Sequence, residues 1–200
     1  MAQLALRFSD KRLAELPASL RESHRQFLKR HKASLVTFGP ISHADGRPAG
    51  YAYQLDLPGF DPAALKPFLA DDPFEEARLF TSTLTRGWRC GVTHRQADMP
   101  VRPGLAGFFF HGIGKPNMTE KRNTIVQPHI KHLNQVDDTN CVSRGPLTNL
   151  AGETWEGSAM VYEFRDRAEL QEFFRTEPYS VNGLYERVDL YDWQRGNMAA

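Results

Sequence analysis

The sequence predicts an α+β fold built from two ferredoxin-like halves that pack sheet to sheet, and three observations predict it. Short motifs recur along the chain at a nearly constant separation. Each half also shows the same order of hydrophobic patterns, namely strand, helix, strand, strand, helix, strand. Finally, 200 residues of which 40% are hydrophobic are enough to bury a core, so the composition excludes a largely disordered chain.

The internal repeat defines the domain organisation. Its motifs recur 105 or 106 residues apart, and they are Gly39-Pro40 with Gly145-Pro146, Asp72-Pro73-Phe74 with Glu177-Pro178-Tyr179, Leu79-Phe80 with Leu184-Tyr185, and Trp88 with Trp193. A near-constant offset over this span indicates two divergent copies. We therefore predict a first repeat at residues 1–90, a linker at 91–104 and a second repeat at 105–197. Pro100, Pro103 and Gly104 disfavour regular structure in the linker.

The first repeat contains four predicted strands and two predicted helices. The strands are placed at residues 3–8, 35–38, 50–55 and 79–86, and the helices at 11–31 and 63–69. Apolar residues at helical spacing predict the first helix. Asp61-Pro62 predicts the start of the second, because an acceptor side chain followed by proline is typical of a helix N-terminus.

The second repeat follows the same order. Strands are predicted at residues 107–112, 158–164 and 185–193. Asn117 with Glu120, and Asp166 with Glu169, have the spacing of helix-capping pairs. Pro17 and Pro128 lie in or near the first helix of each repeat, so these helices are expected to start late or to kink.

The order of elements also predicts how the two halves pack. A four-stranded sheet with helices on one face leaves its other face to be covered, and two such sheets in one chain can cover each other. This predicts a barrel with pseudo-twofold symmetry and a cavity between or beside the sheets. Cavities at such junctions commonly bind ligands.

Charge and cysteine content restrict the partners. The net charge is +1, from 25 Lys and Arg against 24 Asp and Glu, which disfavours nucleic acid and anionic membranes and favours a small molecule. Cys90 and Cys141 lie far apart without a zinc-ligand spacing, so neither a disulfide framework nor a zinc site is expected. The first ten residues lack the pattern of a signal peptide, so a cytoplasmic location is predicted.

Two histidines at matching positions are the strongest candidates for chemistry. His24 lies four residues from both Leu20 and Leu28, on the apolar stripe of the first helix, and His129 occupies the corresponding place 105 residues later. A single histidine of this kind is usually a hydrogen-bonded core residue. Two histidines at matching positions of the two repeats favour a functional site instead.

Asp45 is the predicted partner of His24. It lies in the loop after Gly39-Pro40, which we interpret as a turn, and its carboxylate can accept a hydrogen bond that fixes the imidazole tautomer for acid–base chemistry. The alternative is that Asp45 is simply a turn residue before Gly46.

Taken together, these motifs resemble the YCII-related domain, a family of the dimeric α/β-barrel class. The resemblance is carried by Arg21-Glu22-Ser23-His24, Phe38-Gly39-Pro40, Asp71-Asp72-Pro73-Phe74 and Trp88, and in the second repeat by Pro128-His129-Ile130, Gly145-Pro146 and Glu177-Pro178-Tyr179. It implies ferredoxin-like units that pair into a barrel, and a catalytic His and Asp, here His24 and Asp45. Substrate contacts are expected from the neighbouring loop residues and the second histidine, which are Ser42, His43, Arg47 and His129.

The second repeat departs from this pattern, because Ala151 stands at the position that matches Asp45. We therefore expect unequal repeats, with a reduced role for His129. A carboxylate elsewhere in that loop, Glu153 or Glu156, is the alternative that would restore a pair.

The predicted function is that of an enzyme, a cofactor-independent lyase or isomerase acting on a small cyclic or aromatic molecule. Alternatives are a cofactor-free barrel monooxygenase and a non-catalytic binding module. His43 and Asp45 with His94 or His111 match a two-histidine, one-carboxylate iron pattern only weakly, so no metal and no cofactor are expected. Because the two repeats replace the subunits of a dimer, a monomer or a homodimer is expected.

Overall fold

The computed structural model describes residues 2–57 and 62–198. The first half contains β1 (Ala2–Phe8), α1 (Ala18–Arg30), β2 (Leu35–Ser42), β3 (Pro48–Asp56), α2 (Pro62–Asp71), α3 (Pro73–Glu76) and β4 (Ser82–Trp88). The second half contains β5 (Ala106–Gly114), α4 (Thr119–Leu133), β6 (Cys141–Thr148), β7 (Trp155–Phe164), α5 (Arg167–Arg175), α6 (Pro178–Val181) and β8 (Tyr185–Trp193). The predicted capping residue Asp61 lies outside the described residues.

The helix starts differ from the sequence prediction for local reasons. Proline has no backbone N–H to donate inside a helix, so α1 begins only at Ala18, directly after Pro17. Asn117 has a φ of 60° and lies before α4, which starts at Thr119. Asp166 caps α5 as predicted, since its Oδ1 accepts a hydrogen bond from the Glu169 N–H at 2.9 Å.

The eight strands form one closed barrel in the order β1-β3-β2-β8-β5-β7-β6-β4. Each half supplies a four-stranded antiparallel sheet, and the two sheets join edge to edge where β2 pairs with β8 and β4 pairs with β6. The predicted fold class is confirmed: two ferredoxin-like repeats form an intramolecular α/β barrel. Closure removes the exposed edges that each sheet would otherwise present.

The two Gly-Pro motifs lie at these joins, which corrects their interpretation as turns. Gly39 is inside β2 and Gly145 is inside β6. A Cβ on Gly39 would lie 2.0 Å from the Gln194 carbonyl oxygen, and a Cβ on Gly145 would lie 1.8 Å from the Arg89 carbonyl oxygen. Both positions therefore need glycine because the backbone of the other half passes against them.

Replacing either glycine with alanine should therefore open a join. We expect Gly39→Ala and Gly145→Ala each to lower the free energy of unfolding by about 1–3 kcal/mol or more, because the added methyl group meets backbone that must shift. Urea denaturation measures this. The control is Gly46→Asn: Gly46 has a φ of 79° with nothing near its Cβ, and asparagine tolerates that conformation. Unchanged stability of both alanine variants would contradict the assignment of the joins.

The hydrophobic core has an inner and an outer layer. The inner cluster fills the barrel and takes residues from both halves, among them Leu6, Trp88, Phe109 and Tyr191. Among the described residues, the outer clusters lie between the sheets and their helices, one in the first half and two in the second. Within the described residues, no helix combines the length and apolar character needed to cross a membrane.

The segment between β4 and β5 packs closely on the barrel and contains a short 3-10 turn at Gln96–Asp98. The buried Gln96 side chain accepts a hydrogen bond from the Phe38 N–H at 2.8 Å and donates one to the Gly196 carbonyl at 3.1 Å. We propose that residues 91–104 form the boundary between repeats 1–90 and 105–197. This segment also links β2 to Gly196, which follows the last strand.

Candidate functional site

His24 lies at the end of a buried chain of hydrogen bonds between α1 and the first sheet. Its Nε2 is 2.8 Å from the Tyr53 hydroxyl, which in turn donates to Asp72 Oδ2 at 2.9 Å. A tyrosine hydroxyl has one proton, and here Asp72 accepts it. His24 Nε2 must then carry the proton that reaches Tyr53, which leaves the Nδ1 lone pair available as a base.

Asp72 is held in place by backbone and by charge. It caps α3 by accepting a hydrogen bond from the Phe74 N–H at 2.9 Å, and Arg7 lies 3.6 Å from it. Arg7 also forms an ion pair with Glu75. Burial raises the pKa of Asp72 to about 6, although the bonds from Phe74 and Tyr53 and the charge of Arg7 oppose this rise. The carboxylate is therefore ionised at neutral pH.

The imidazole of His24 is packed among aromatic rings. It stacks on Phe74 with ring centres 3.9 Å apart and meets Tyr51 edge-on at 5.1 Å. Because the side chain is only 5% exposed, burial lowers the pKa of His24 to about 3. The resting side chain is neutral, as a proton acceptor must be.

A cavity of about 480 Å³ opens beside His24. Tyr51 and three arginines, Arg21, Arg25 and Arg195, also line it. Arg25 is paired with Glu22 and Arg195 with Glu163. Arg21 donates to the Ala14 carbonyl, and no carboxylate among the described residues lies within ion-pair distance of it. Its charge is therefore available to an anion in the cavity.

The second half contains a shorter version of this arrangement. His129 Nδ1 donates directly to Glu177 Oε1 at 2.6 Å, and its ring stacks on Tyr179 at 3.7 Å. Burial lowers the pKa of His129 despite the bond to Glu177. Burial by itself would raise the pKa of Glu177, but the hydrogen bonds from His129 and the Tyr179 N–H outweigh it, so the pKa is lowered.

The two halves differ because Met160 stands in place of Tyr53 and Glu177 stands in place of Asp72. Gly50 and Gly157 have matching φ values of 139° and 144° in β3 and β7, which aligns Tyr53 with Met160. Without a hydroxyl to bridge the gap, the longer Glu177 reaches the histidine itself. The second carboxylate expected as an alternative does exist, but it is neither Glu153 nor Glu156; Glu156 pairs with Arg86 at 2.8 Å.

The predicted bond between His24 and Asp45 is wrong. Asp45 is half exposed on the hairpin between β2 and β3, where its carboxylate holds the N–H and the Nε of Arg47 at 3.0 and 2.7 Å. It therefore has the role of the turn residue that the sequence left as an alternative. Ser42 and His43 lie at the same hairpin, and the ring of His43 faces Tyr191 at 5.6 Å. Their contacts with substrate, and those of Arg47 and His129, remain predictions.

The iron pattern does not assemble either. Among the described residues, no three His, Cys, Asp or Glu side chains converge in an arrangement able to hold a metal ion.

Sequence reasoning missed Tyr53 and Asp72, but part of the signal was present. Asp72 and Glu177 recur with an offset of 105, the same as that of His24 and His129. An acidic residue before proline is read first as a helix cap, and both residues do cap short helices. The offset of 105 that Asp72 and Glu177 share with the two histidines indicated that each carboxylate belongs to the same site as a histidine.

Comparisons with known proteins agree with this architecture. Residues 107–194 match the model of the YCII-related domain. A search of curated proteins found no match. Among solved structures, a candidate monooxygenase from Fusobacterium nucleatum aligns with 97% of this chain and 91% of its own, with TM-score 0.63 and 7% identity.

Two further structures cover almost the whole chain. A candidate monooxygenase from Lactobacillus acidophilus aligns with 97% of this chain and 92% of its own, with TM-score 0.58 and 11% identity. A mutant chlorite dismutase from Candidatus Nitrospira defluvii aligns with 96% and 90%, with TM-score 0.58 and 12% identity. These likenesses establish the fold. Residues 107–194 thus match the YCII-related domain, and the chain as a whole has an α/β-barrel fold in which the two halves of one polypeptide together form the barrel.

Proposed function

We propose that the protein is a cofactor-independent acid–base enzyme, a lyase or isomerase, in which His24 removes a proton from a small cyclic or aromatic anion. One observation carries this proposal: the chain from Asp72 through Tyr53 to His24 ends at the wall of a 480 Å³ cavity. This volume suits a small molecule, and the cavity combines aromatic walls with cationic side chains.

Each residue of the chain has a distinct task in this proposal. His24 accepts the proton on Nδ1 and becomes cationic. Tyr53 and the ionised Asp72 then stabilise that cation, in the way that a buried carboxylate orients and stabilises the imidazolium of a catalytic triad. Tyr53 and Asp72 act through His24 and are therefore positioning residues. Arg21 attracts the anionic group of the substrate.

The low basicity of His24 restricts the substrate class. Because burial lowers the pKa of His24, its imidazole is a weak base, so the proton that it removes must be activated by the substrate itself. Phenolic hydroxyls and carbon atoms next to two carbonyls are the most readily deprotonated groups of small cyclic molecules. A substrate that loses a leaving group or moves a double bond after this step would give an elimination or an isomerisation without metal or redox chemistry.

The direct test is proton exchange. A panel of hydroxyquinones and cyclic dicarbonyl compounds would be incubated with the protein in D₂O and followed by ¹H NMR. We expect deuterium incorporation or elimination that is lost in His24→Ala. Turnover that stops under argon would favour the monooxygenase alternative, and saturable binding without any turnover would favour the binding module.

The pH dependence of the reaction should report Asp72. Because burial raises the pKa of this carboxyl to about 6, it is protonated below that pH and can no longer stabilise the cation of His24. We expect the wild-type kcat to fall as pH decreases through 6. The kcat of Asp72→Asn should be lower throughout and flat across the same range. A wild-type profile that is flat between pH 5 and 7 would contradict this role.

A further inference from the structure

A second cavity, of about 690 Å³, lies at one end of the barrel and is separate from the His24 cavity. Most of its lining belongs to the second half, and the first half contributes Phe8, Leu84 and Arg86. Phe8 and Ile113, which both line it, are 105 residues apart and hold equivalent positions in the two repeats, and we call this space the axial cavity. His111 on β5 and Asp189 on β8 line one side of it and are directly opposite each other in the strand pairing.

The halves differ at this level of the barrel. The residues equivalent to His111 and Asp189, again 105 positions earlier, are Leu6 and Leu84, which also face each other across two paired strands. The first half thus shows that an apolar pair fits this layer. A histidine and a carboxylate at the same positions bury polar groups where apolar side chains would be more favourable. Buried polar groups that destabilise the packing in this way are expected at functional sites.

The polar groups on this side have unused hydrogen-bonding capacity. His111 is 5% exposed, and its Nδ1 lies 3.7 Å from Asp189, beyond hydrogen-bond distance. Asp189 is instead held by Arg187 at 2.8 and 3.0 Å. Trp155 also lines the cavity and is 5% exposed, and its indole N–H has no partner among the described residues. A buried donor without a partner is costly, and a ligand oxygen would satisfy it.

The charge around the cavity favours an anion. Two of the three cations in the lining are paired, Arg86 with Glu156 and Arg187 with Asp189. Lys115 is exposed at the rim, and no carboxylate among the described residues lies within ion-pair distance of it. The lining therefore carries one excess positive charge beside the aromatic rings of Phe8, Trp155 and Tyr191.

We propose that this axial cavity is a second ligand site, which takes a small aromatic monoanion such as an aromatic carboxylate. The ring lies against the aromatic side chains, and the anionic group takes hydrogen bonds from His111 and the Trp155 indole and is attracted by Lys115. This proposal does not depend on the reaction at His24.

Benzoate is a suitable probe, followed by ¹⁵N–¹H NMR of the indole N–H signals. The chain has three tryptophans, and Trp155→Phe identifies the relevant signal. We expect benzoate to shift the Trp155 signal saturably. The neutral analogue benzamide should bind about tenfold more weakly, which corresponds to about 1.4 kcal/mol.

Two variants test the site in different ways. The double variant His111→Leu and Asp189→Leu copies the first half and should weaken benzoate binding at least about tenfold. Lys115→Ala changes an exposed side chain, so it leaves folding intact, and it should weaken binding of benzoate but not of benzamide. The proposal is overturned if benzoate causes no saturable shift of Trp155, or if neither variant changes its affinity.

Discussion

Replacing His24 with alanine should lower turnover of the true substrate by about 10² to 10⁴, the contribution typical of a positioned general base. The loss should appear in kcat, because the base acts on the transition state, while the cavity and Arg21 that bind the substrate are retained. Circular dichroism would show that the variant is folded.

The matched control is His31→Ala. This histidine follows the C-terminus of α1 and shares a hydrogen bond with the half-exposed Asp71 at 2.8 Å, so it is not a member of the chain from Asp72 through Tyr53 to His24. Its replacement should change kcat less than about twofold, as expected for a partly exposed histidine that lies outside the hydrogen-bonded chain. His129 has a carboxylate partner of its own in Glu177, so the expected inequality now rests on the cavity beside His24, and His129→Ala should cost less than His24→Ala. Full activity in folded His24→Ala would remove this residue from the mechanism.

The protein should lose stability steeply when the pH falls below 6.5. His24, His111 and His129 are buried and neutral, and burial lowers the pKa of each from 6.5, to about 3 for His24 and about 4 for His111. A depressed pKa in the folded state means that stability is present above the unfolded value of 6.5 and is lost as the pH falls. His24 and His111 each contribute a slope of about 1.4 kcal/mol per pH unit between their folded and unfolded pKa values, and His129 adds a slope of the same sign.

Asp72 acts in the opposite direction. Its pKa is raised from 3.8 to about 6, so its contribution to stability is present below 3.8 and is lost as the pH rises through 6. It offsets about one of the protons that the histidines take up on unfolding, so the net slope is smaller than the histidines alone would give but keeps their sign.

Urea denaturation at pH 7.5 and at pH 5.5 would measure this dependence. His24→Phe and His111→Leu should each reduce the slope by about 1.4 kcal/mol per pH unit, since each removes one titrating group. Free energies of unfolding that do not change between the two pH values would show that these histidines are not buried and neutral in the folded protein.

The sequence predicted the barrel because the repeat carries the contacts that close it. Gly39 and Gly145 admit the backbone of the opposite half, so the motif that revealed the repeat is also the join. The two Gly-Pro motifs were wrongly interpreted as turns because glycine and proline are common in turns, and the pattern of a sequence does not show where a strand from the other half passes.

The strand β6 was not predicted because it begins with Cys141, Val142, Ser143 and Arg144, without the alternating pattern of a half-exposed strand.

The site was only half predicted, and the reason is physical. His24 was found because a helix has a regular period, which shows which side chains face the sheet. Its partners come from β3 and from the N-terminus of α3, 29 and 48 positions further along the chain. Which loop approaches a helix depends on tertiary packing. Asp45, the nearest acidic residue after the first Gly-Pro motif, was therefore chosen over the correct Asp72.

The covalent link between the halves has a consequence for the axial cavity. In a barrel assembled from two identical chains, every side chain at the axis occurs twice, so His111 and Asp189 would each face a copy of themselves. A ligand there would bind in two equivalent orientations, related by the twofold rotation. Here the His–Asp pair occurs once, because Leu6 and Leu84 hold the equivalent positions in the first half, so the two ends of a ligand would meet different side chains. A molecule with distinct ends therefore has a single preferred direction in which to enter.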